Sequence, residues 1–160
     1  MKTKAKNPLV YLWALLPLAS AVLFYALIAI DFEVSFLIGP IFRISVVGVF
    51  AVLAGFFATW LAGFRFAKNG VGALKAILIG NAIPILTTLV YTAFVVSGNG
   101  DVDAGKVIGE FGNGIFSVVS LYVTVLSKMT FSFFEVYISF AFLIATFVVG
   151  YSVGILKNNK

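Results

Sequence analysis

Hydrophobic positions along this chain come in long unbroken runs, without the alternation of a half-buried strand, and polar residues collect at the joints between them. Residues 9–30 carry no charge and make about 33 Å of helix, against a bilayer hydrocarbon core of about 30 Å. The acidic turn Asp31-Phe32-Glu33 closes that run. The next apolar stretch, 34–64, would measure about 46 Å as one helix, longer than a crossing needs. Gly39-Pro40 offers a break, because proline disfavours helix in the residue before it. The pattern therefore predicts a short interfacial lead-in at 34–38 and a span over 41–64. Arg65, Lys68 and Asn69-Gly70 form a basic turn into a third span, 71–97. A final apolar run, 131–156, ends on Lys157, Asn158, Asn159 and Lys160.

The stretch between the last two spans divides in two. Residues 98–110 are polar, turn-rich and mostly acidic, whereas 108–126 is apolar enough to cross. Gly109, Gly112, Asn113 and Gly114 weaken the first half of that second part as helix. Charge placement favours a non-crossing role. With four crossings, Lys2, Lys4, Lys6, Arg65, Lys68, Lys157 and Lys160 all fall on the cytoplasmic side, as the positive-inside rule requires. Five crossings would move the carboxy-terminal lysines out and bring only Lys128 in. The expected fold is an all-α polytopic bundle in the cell membrane, one integral membrane domain with both termini cytoplasmic. It has four transmembrane helices (9–30, 41–64, 71–97 and 131–156), and residues 98–130 supply an external loop and an interfacial or re-entrant helix. Five crossings is the alternative. Trp13 and Trp60 then lie near the cytoplasmic interface, where aromatic side chains are favoured.

Lys2, Lys4 and Lys6 before 9–18, with Ala19-Ser20-Ala21 after it, imitate a secretory signal. The apolar run continues to Ile30, so an uncleaved first transmembrane helix is expected.

Composition narrows the chemistry. Of 160 residues, 62% are hydrophobic and 11% charged, and the mean hydropathy is +1.13. Cysteine and histidine are absent, which removes disulfides, thiol chemistry, haem ligation, most zinc sites and the commonest general base. No cofactor is implied. The net charge of +5 sits at helix ends and forms no patch, so the expected partner is the lipid bilayer and not nucleic acid. Small residues line possible packing seams: Gly48, Ala51, Gly55, Ala58 and Ala62; Ala73, Ala76, Gly80 and Thr87; and Ser139, Thr146, Gly150 and Gly154. Such seams let membrane helices approach closely, within one chain or between subunits.

Charges inside a bilayer cost about 2.5–3.5 kcal/mol each at a helix centre, so each requires a reason. Lys75 lies close enough to the basic turn to snorkel to the headgroups. Arg43 and Glu135 both fall near the external end and are candidates for a buried ion pair, or for a polar site taking an ion, proton or small solute. Asn81 and Pro84 interrupt the third span near its middle, either as a simple kink or as the broken helix of a substrate site. Asn99, Asp101, Asp103 and Glu110 occupy an EF-hand-like spacing that would cluster oxygens for Ca²⁺, although Ala104 stands where the turn glycine belongs. An ordinary solvated acidic loop is the alternative.

These features favour a non-enzymatic membrane subunit of a transport or other multi-protein complex, with homo-oligomerisation or other membrane subunits as partners. An autonomous small oligomeric transporter or channel, with its site at Glu135 and Arg43, is the second reading. A lipid-acting enzyme is the third, and no paired-carboxylate or metal spacing supports it.

Overall fold

In a computed structural model of the chain, residues 8–16, 19, 22, 26, 40–97, 102–114, 116, 117 and 134–158 are described, with side chains except at 40–52, 102 and 103. All of the regular structure among the described residues is helical. A 3₁₀ segment, Pro8–Leu15, is followed by α1 (Pro40–Lys68), α2 (Ala73–Gly80), α3 (Ala82–Ser97), α4 (Val102–Asn113) and α5 (Glu135–Asn158).

The most extensive packing joins α1 to α5. Small residues allow it. A Cβ added at Gly150 would fall on the carbonyl oxygen of Trp60, one at Gly63 on the carbonyl oxygen of Phe147, and one at Gly154 within 2.6 Å of Ala67 Cβ. Contacts advance together along both helices, Trp60 with Gly150 and then Phe64 and Ala67 with Gly154, so α1 and α5 run parallel. Asn158 closes the pair by donating from Nδ2 to the Ala67 carbonyl at 3.1 Å. Of the expected seam residues, Gly55, Ala62, Gly150 and Gly154 are buried, and Ser139 is buried toward Asn113, whereas the Thr146 hydroxyl turns back to Phe142 O at 2.8 Å. Thr59 and Gly63 are buried on α1 as well.

α1 stops in a Schellman turn. Gly70, at φ 68°, adopts the left-handed conformation, Gly70 N–H bonds Ala67 O and Val71 N–H bonds Phe66 O. Arg65 and Lys68 occupy its last turn, where the helix dipole favours cations. The 3₁₀ segment docks at this same end. With three residues per turn, Leu9, Leu12 and Leu15 fall on one exposed face, while Val10 is buried. Arg65 lies over the Trp13 ring at 4.9 Å and Lys75 over the Tyr11 ring at 5.6 Å. Lys157 approaches Phe64 at 5.7 Å, so one end of the bundle gathers Arg65, Lys68, Lys75 and Lys157. The expected 9–30 helix therefore opens as a tighter 3₁₀ run, and much of it lies outside the described residues.

From the basic end α2 rises to Gly80, which packs on the Phe147 ring. The chain then bends by 66° into α3. α3 continues antiparallel to α5 until Thr92 meets Tyr137. Helix α4 returns beside α3. Gly105 faces Phe94, Gly109 faces Tyr91 and Gly112 faces Thr87, an antiparallel seam built on glycines four and three residues apart. Gly109 and Gly112, expected to weaken the helix, admit a neighbouring side chain where a Cβ would collide, and Gly105 does the same. α4 begins at Val102, earlier than expected, and is closed after Asn113 by Gly114, whose φ of 57° lets its N–H bond Glu110 O at 2.8 Å.

Among the described residues, α5 alone is by itself long and apolar enough to cross a membrane, with a mean hydropathy of 2.1 in its most apolar stretch. α2 and α3 meet the same test only together.

Candidate functional site

Opposite the basic end, the glycine seam presses α4 against α3 and carries three polar side chains onto the first turns of α5. Lys106 Nζ lies 2.6 Å from Glu135 Oε2 and 3.7 Å from Glu110 Oε1. Glu135 is buried, with 7% exposure, and opens α5, where the helix dipole favours a carboxylate. One ammonium is thus shared by two carboxylates, and the cluster carries one net negative charge when all three are ionised.

Burial pushes the Glu110 carboxyl above its ordinary range, against the opposing pull of Lys106. The hydrogen bond to Glu135 raises the Lys106 ammonium above the usual lysine value. For both groups the sign is the same: the contribution to stability is present below the unfolded pKa and is lost as pH rises through the folded one. Lys106 therefore keeps its charge to higher pH than an ordinary lysine, whereas Glu110 takes up its proton at higher pH than an ordinary glutamate. Wild-type protein is expected to gain thermal stability as pH falls from neutral through the range where Glu110 takes its proton, and Glu110→Gln to gain less. Melting curves across that window check the difference; parallel slopes would contradict it.

Below the cluster, Asn113 and Ser139 are buried together. Asn113 Nδ2 donates to Val136 O at 2.9 Å and to Ser139 Oγ at 3.0 Å, and Ser139 Oγ donates to Val136 O at 2.8 Å. On the α3 side, Thr92 Oγ1 donates to Thr88 O at 2.7 Å, which leaves the Tyr137 hydroxyl as donor in their 3.1 Å contact. Tyr91 packs against Tyr137 with ring centroids 5.5 Å apart.

The cation that Glu135 meets is Lys106, which lies in the 98–130 segment expected to supply the external loop. Two signals could have found it: Lys106 and Glu110 stand four apart, and Gly105, Gly109 and Gly112 fall on one helical face. Arg43 lies one turn into α1, whose amino-terminal end lies with that of α5 because the two helices are parallel, but its side chain lies outside the described residues.

Asn81 marks the break between α2 and α3, at φ −123° and ψ 25°. It is fully buried, and both its backbone N–H and its Nδ2 bond Ile77 O, at 3.1 and 2.9 Å. Pro84 stands in the first turn of α3, where a missing N–H is tolerated. It therefore starts the second half-helix instead of kinking a continuous one.

Residues 102–113 form a helix, so Asp103 and Glu110 lie about 10 Å apart along its axis instead of wrapping around one ion. Glu110 faces Lys106, and among the described residues no three acidic groups converge. Asn99 and Asp101 lie outside the described residues. Comparison with protein-family models, with curated proteins and with solved structures gives no significant match.

Proposed function

We propose that the chain is a membrane-embedded, non-enzymatic subunit of a transport system or other multi-protein membrane complex. The observation that carries this reading is the apolar outer surface. Leu53, Phe57, Leu86, Leu89, Val96 and Phe142 are exposed, around an interior that holds Phe66, Leu143 and Phe147 together with the polar Thr59, Asn81, Asn113 and Glu135. Water disfavours such a surface; a hydrocarbon solvent favours it. Only 33% of the most apolar stretch of α5 is buried inside the protein, whereas a core helix of a water-soluble domain would be mostly enclosed. α4 follows the same rule, with Val107, Ile108 and Phe111 exposed and Asn113 within.

The reading includes four crossings: the 9–30 region, α1, the broken pair α2–α3, and α5. Parallel α1 and α5 support it, since one net crossing must then separate them, and α2–α3 supplies one. α4 re-enters beside α3 without crossing. Arg65, Lys68, Lys75 and Lys157 at one end make that end cytoplasmic under the positive-inside rule. A subunit role accords with the lack of histidine and cysteine, and the apolar α4 face offers a surface for another membrane chain.

Mild-detergent purification followed by mass spectrometry of accompanying chains tests the proposal. A membrane partner at constant stoichiometry is expected. Recovery of this chain alone, or only as a homo-oligomer, would overturn the subunit role in favour of an autonomous transporter, the second reading, which the broken span and the buried charge cluster favour.

A further inference from the structure

Two ammonium groups meet over one aromatic ring at the basic end of the bundle. Lys68 Nζ lies 5.3 Å and Lys157 Nζ 5.7 Å from the centre of the Phe64 ring, so the charges are no further apart than those two distances together. The fold builds this pairing. Lys68 follows Phe64 by one turn of α1, and Lys157 is carried beside it because Gly154 packs on the Phe64 backbone and Ala67, while Asn158 bonds the Ala67 carbonyl. Both lysines are exposed, and among the described residues neither pairs with a carboxylate. Glu110 and Glu135 stand with Lys106 at the opposite end. The helix dipole accounts for one cation at each helix end, but not for two brought to the same ring. A ring face attracts a cation and supplies no net charge to offset the repulsion between two. An anion would offset it.

What lies beneath the lysines selects the anion. Phe64 heads a ladder of near-parallel rings on α1: Trp60 stacks on it at 5.4 Å and 13°, and Phe57 on Trp60 at 6.0 Å and 24°. Positions 53, 57, 60 and 64 fall on one helical face, so Leu53 continues the stripe to about 16 Å from its head. Leu53 and Phe57 are 59% and 60% exposed. Inorganic phosphate would neutralise the lysines and leave this stripe bare. A phospholipid answers both features, with its phosphate diester between the ammonium groups and an acyl chain along the rings. A zwitterionic headgroup would add its own cation beside the two lysines, so the chemistry favours an anionic one.

We propose that Lys68, Lys157 and the Phe64–Trp60–Phe57 ladder bind one anionic phospholipid of the cytoplasmic leaflet. Lys75 stands apart from this site. Its partner Tyr11 packs edge-on against Phe66, and Phe66 is roughly 200° around α1 from Phe64. The site rests on the membrane-embedded reading and not on the subunit role.

Titration of the full-length protein in neutral detergent with phosphatidylglycerol, phosphatidylcholine or inorganic phosphate, followed by native mass spectrometry and thermal melting, tests it. Phosphatidylglycerol is expected to bind saturably and raise the melting temperature, with phosphatidylcholine weaker by at least about tenfold. Lys157→Gln and Lys68→Gln should each weaken phosphatidylglycerol binding about fivefold, the effect of one basic residue at an anionic headgroup, whereas Lys157→Arg should retain it. Lys75→Gln removes the same charge on the other side of α1 and should stay within about twofold of wild type. All of these side chains are exposed, so the variants should fold. Equal affinity for the two lipids would overturn the site, as would equal losses from Lys75→Gln and Lys157→Gln, which would mean diffuse attraction to a basic end. Inorganic phosphate that stabilises as well as phosphatidylglycerol would overturn the lipid assignment. Alkaline carbonate extraction of the same membranes separates the two readings: extracted protein contradicts embedding, and embedded protein without lipid preference contradicts this site alone.

Discussion

Gly150→Val is expected to separate α5 from α1 and to lower the stability of the bundle by about 3 kcal/mol, the upper end for overpacking. The new side chain has nowhere to go. Its Cβ alone falls on the Trp60 carbonyl, and backbone cannot swing aside as the end of a flexible side chain does. Relief requires the helices to part, which would also break the Asn158 bond to Ala67 and lift Phe147 off Gly80 and Phe66. Thermal melting in detergent reads the loss. Val149→Ala is the matched control, because Val149 is 57% exposed and lies on the neighbouring position of the same helix. It should stay within about 0.5 kcal/mol of wild type. Equal effects from the two would mean that the α1–α5 contact does not hold the fold.

Glu135→Leu is the second large effect, expected to cost about 1–3 kcal/mol. Removing one partner of a buried ion pair strands the other, at about 3–5 kcal/mol when enclosure is complete. Lys106 retains 28% side-chain exposure, and Glu110 stands ready at 3.7 Å, so the loss is smaller here. The double variant Lys106→Met with Glu135→Leu should recover only part of it, since it removes the stranded ammonium but leaves the half-buried Glu110 without its cation. A double-mutant cycle in melting temperature measures the coupling. Additive losses would show that the two side chains do not depend on each other.

The helices could be read from residue order because their cause is local. Long apolar runs, the proline that opens α1 and the basic turn after it all act within a few residues, and the break at Asn81 announces itself through Pro84. What the order of residues hides is partnership. Glu135 was visible as an expensive charge, but its cation stands 29 positions upstream in a segment whose glycines look like loop signals. Glycine at 105, 109 and 112 lowers helix propensity in isolation and permits close helix contact in a fold, and only the neighbouring α3 decides between them. Asp103 and Glu110 show the converse, a liganding spacing in sequence that a helical backbone stretches to about 10 Å along its axis. Thr146 shared a predicted seam with Gly150, yet its hydroxyl satisfies itself on Phe142 and leaves the seam to Leu143 and Phe147.

Sidedness of single cysteines most directly tests the central claim, a bundle in which α1 and α5 cross a membrane in parallel. The chain has no native cysteine, so each introduced thiol reports alone. Asn69→Cys follows α1, Asn158→Cys ends α5 and Ser97→Cys ends α3. With a membrane-impermeant maleimide on intact cells, Ser97→Cys is expected to label, and the other two only after permeabilisation. Labelling of Asn69→Cys and Asn158→Cys from opposite sides, or equal labelling of all three in every condition, would contradict the account.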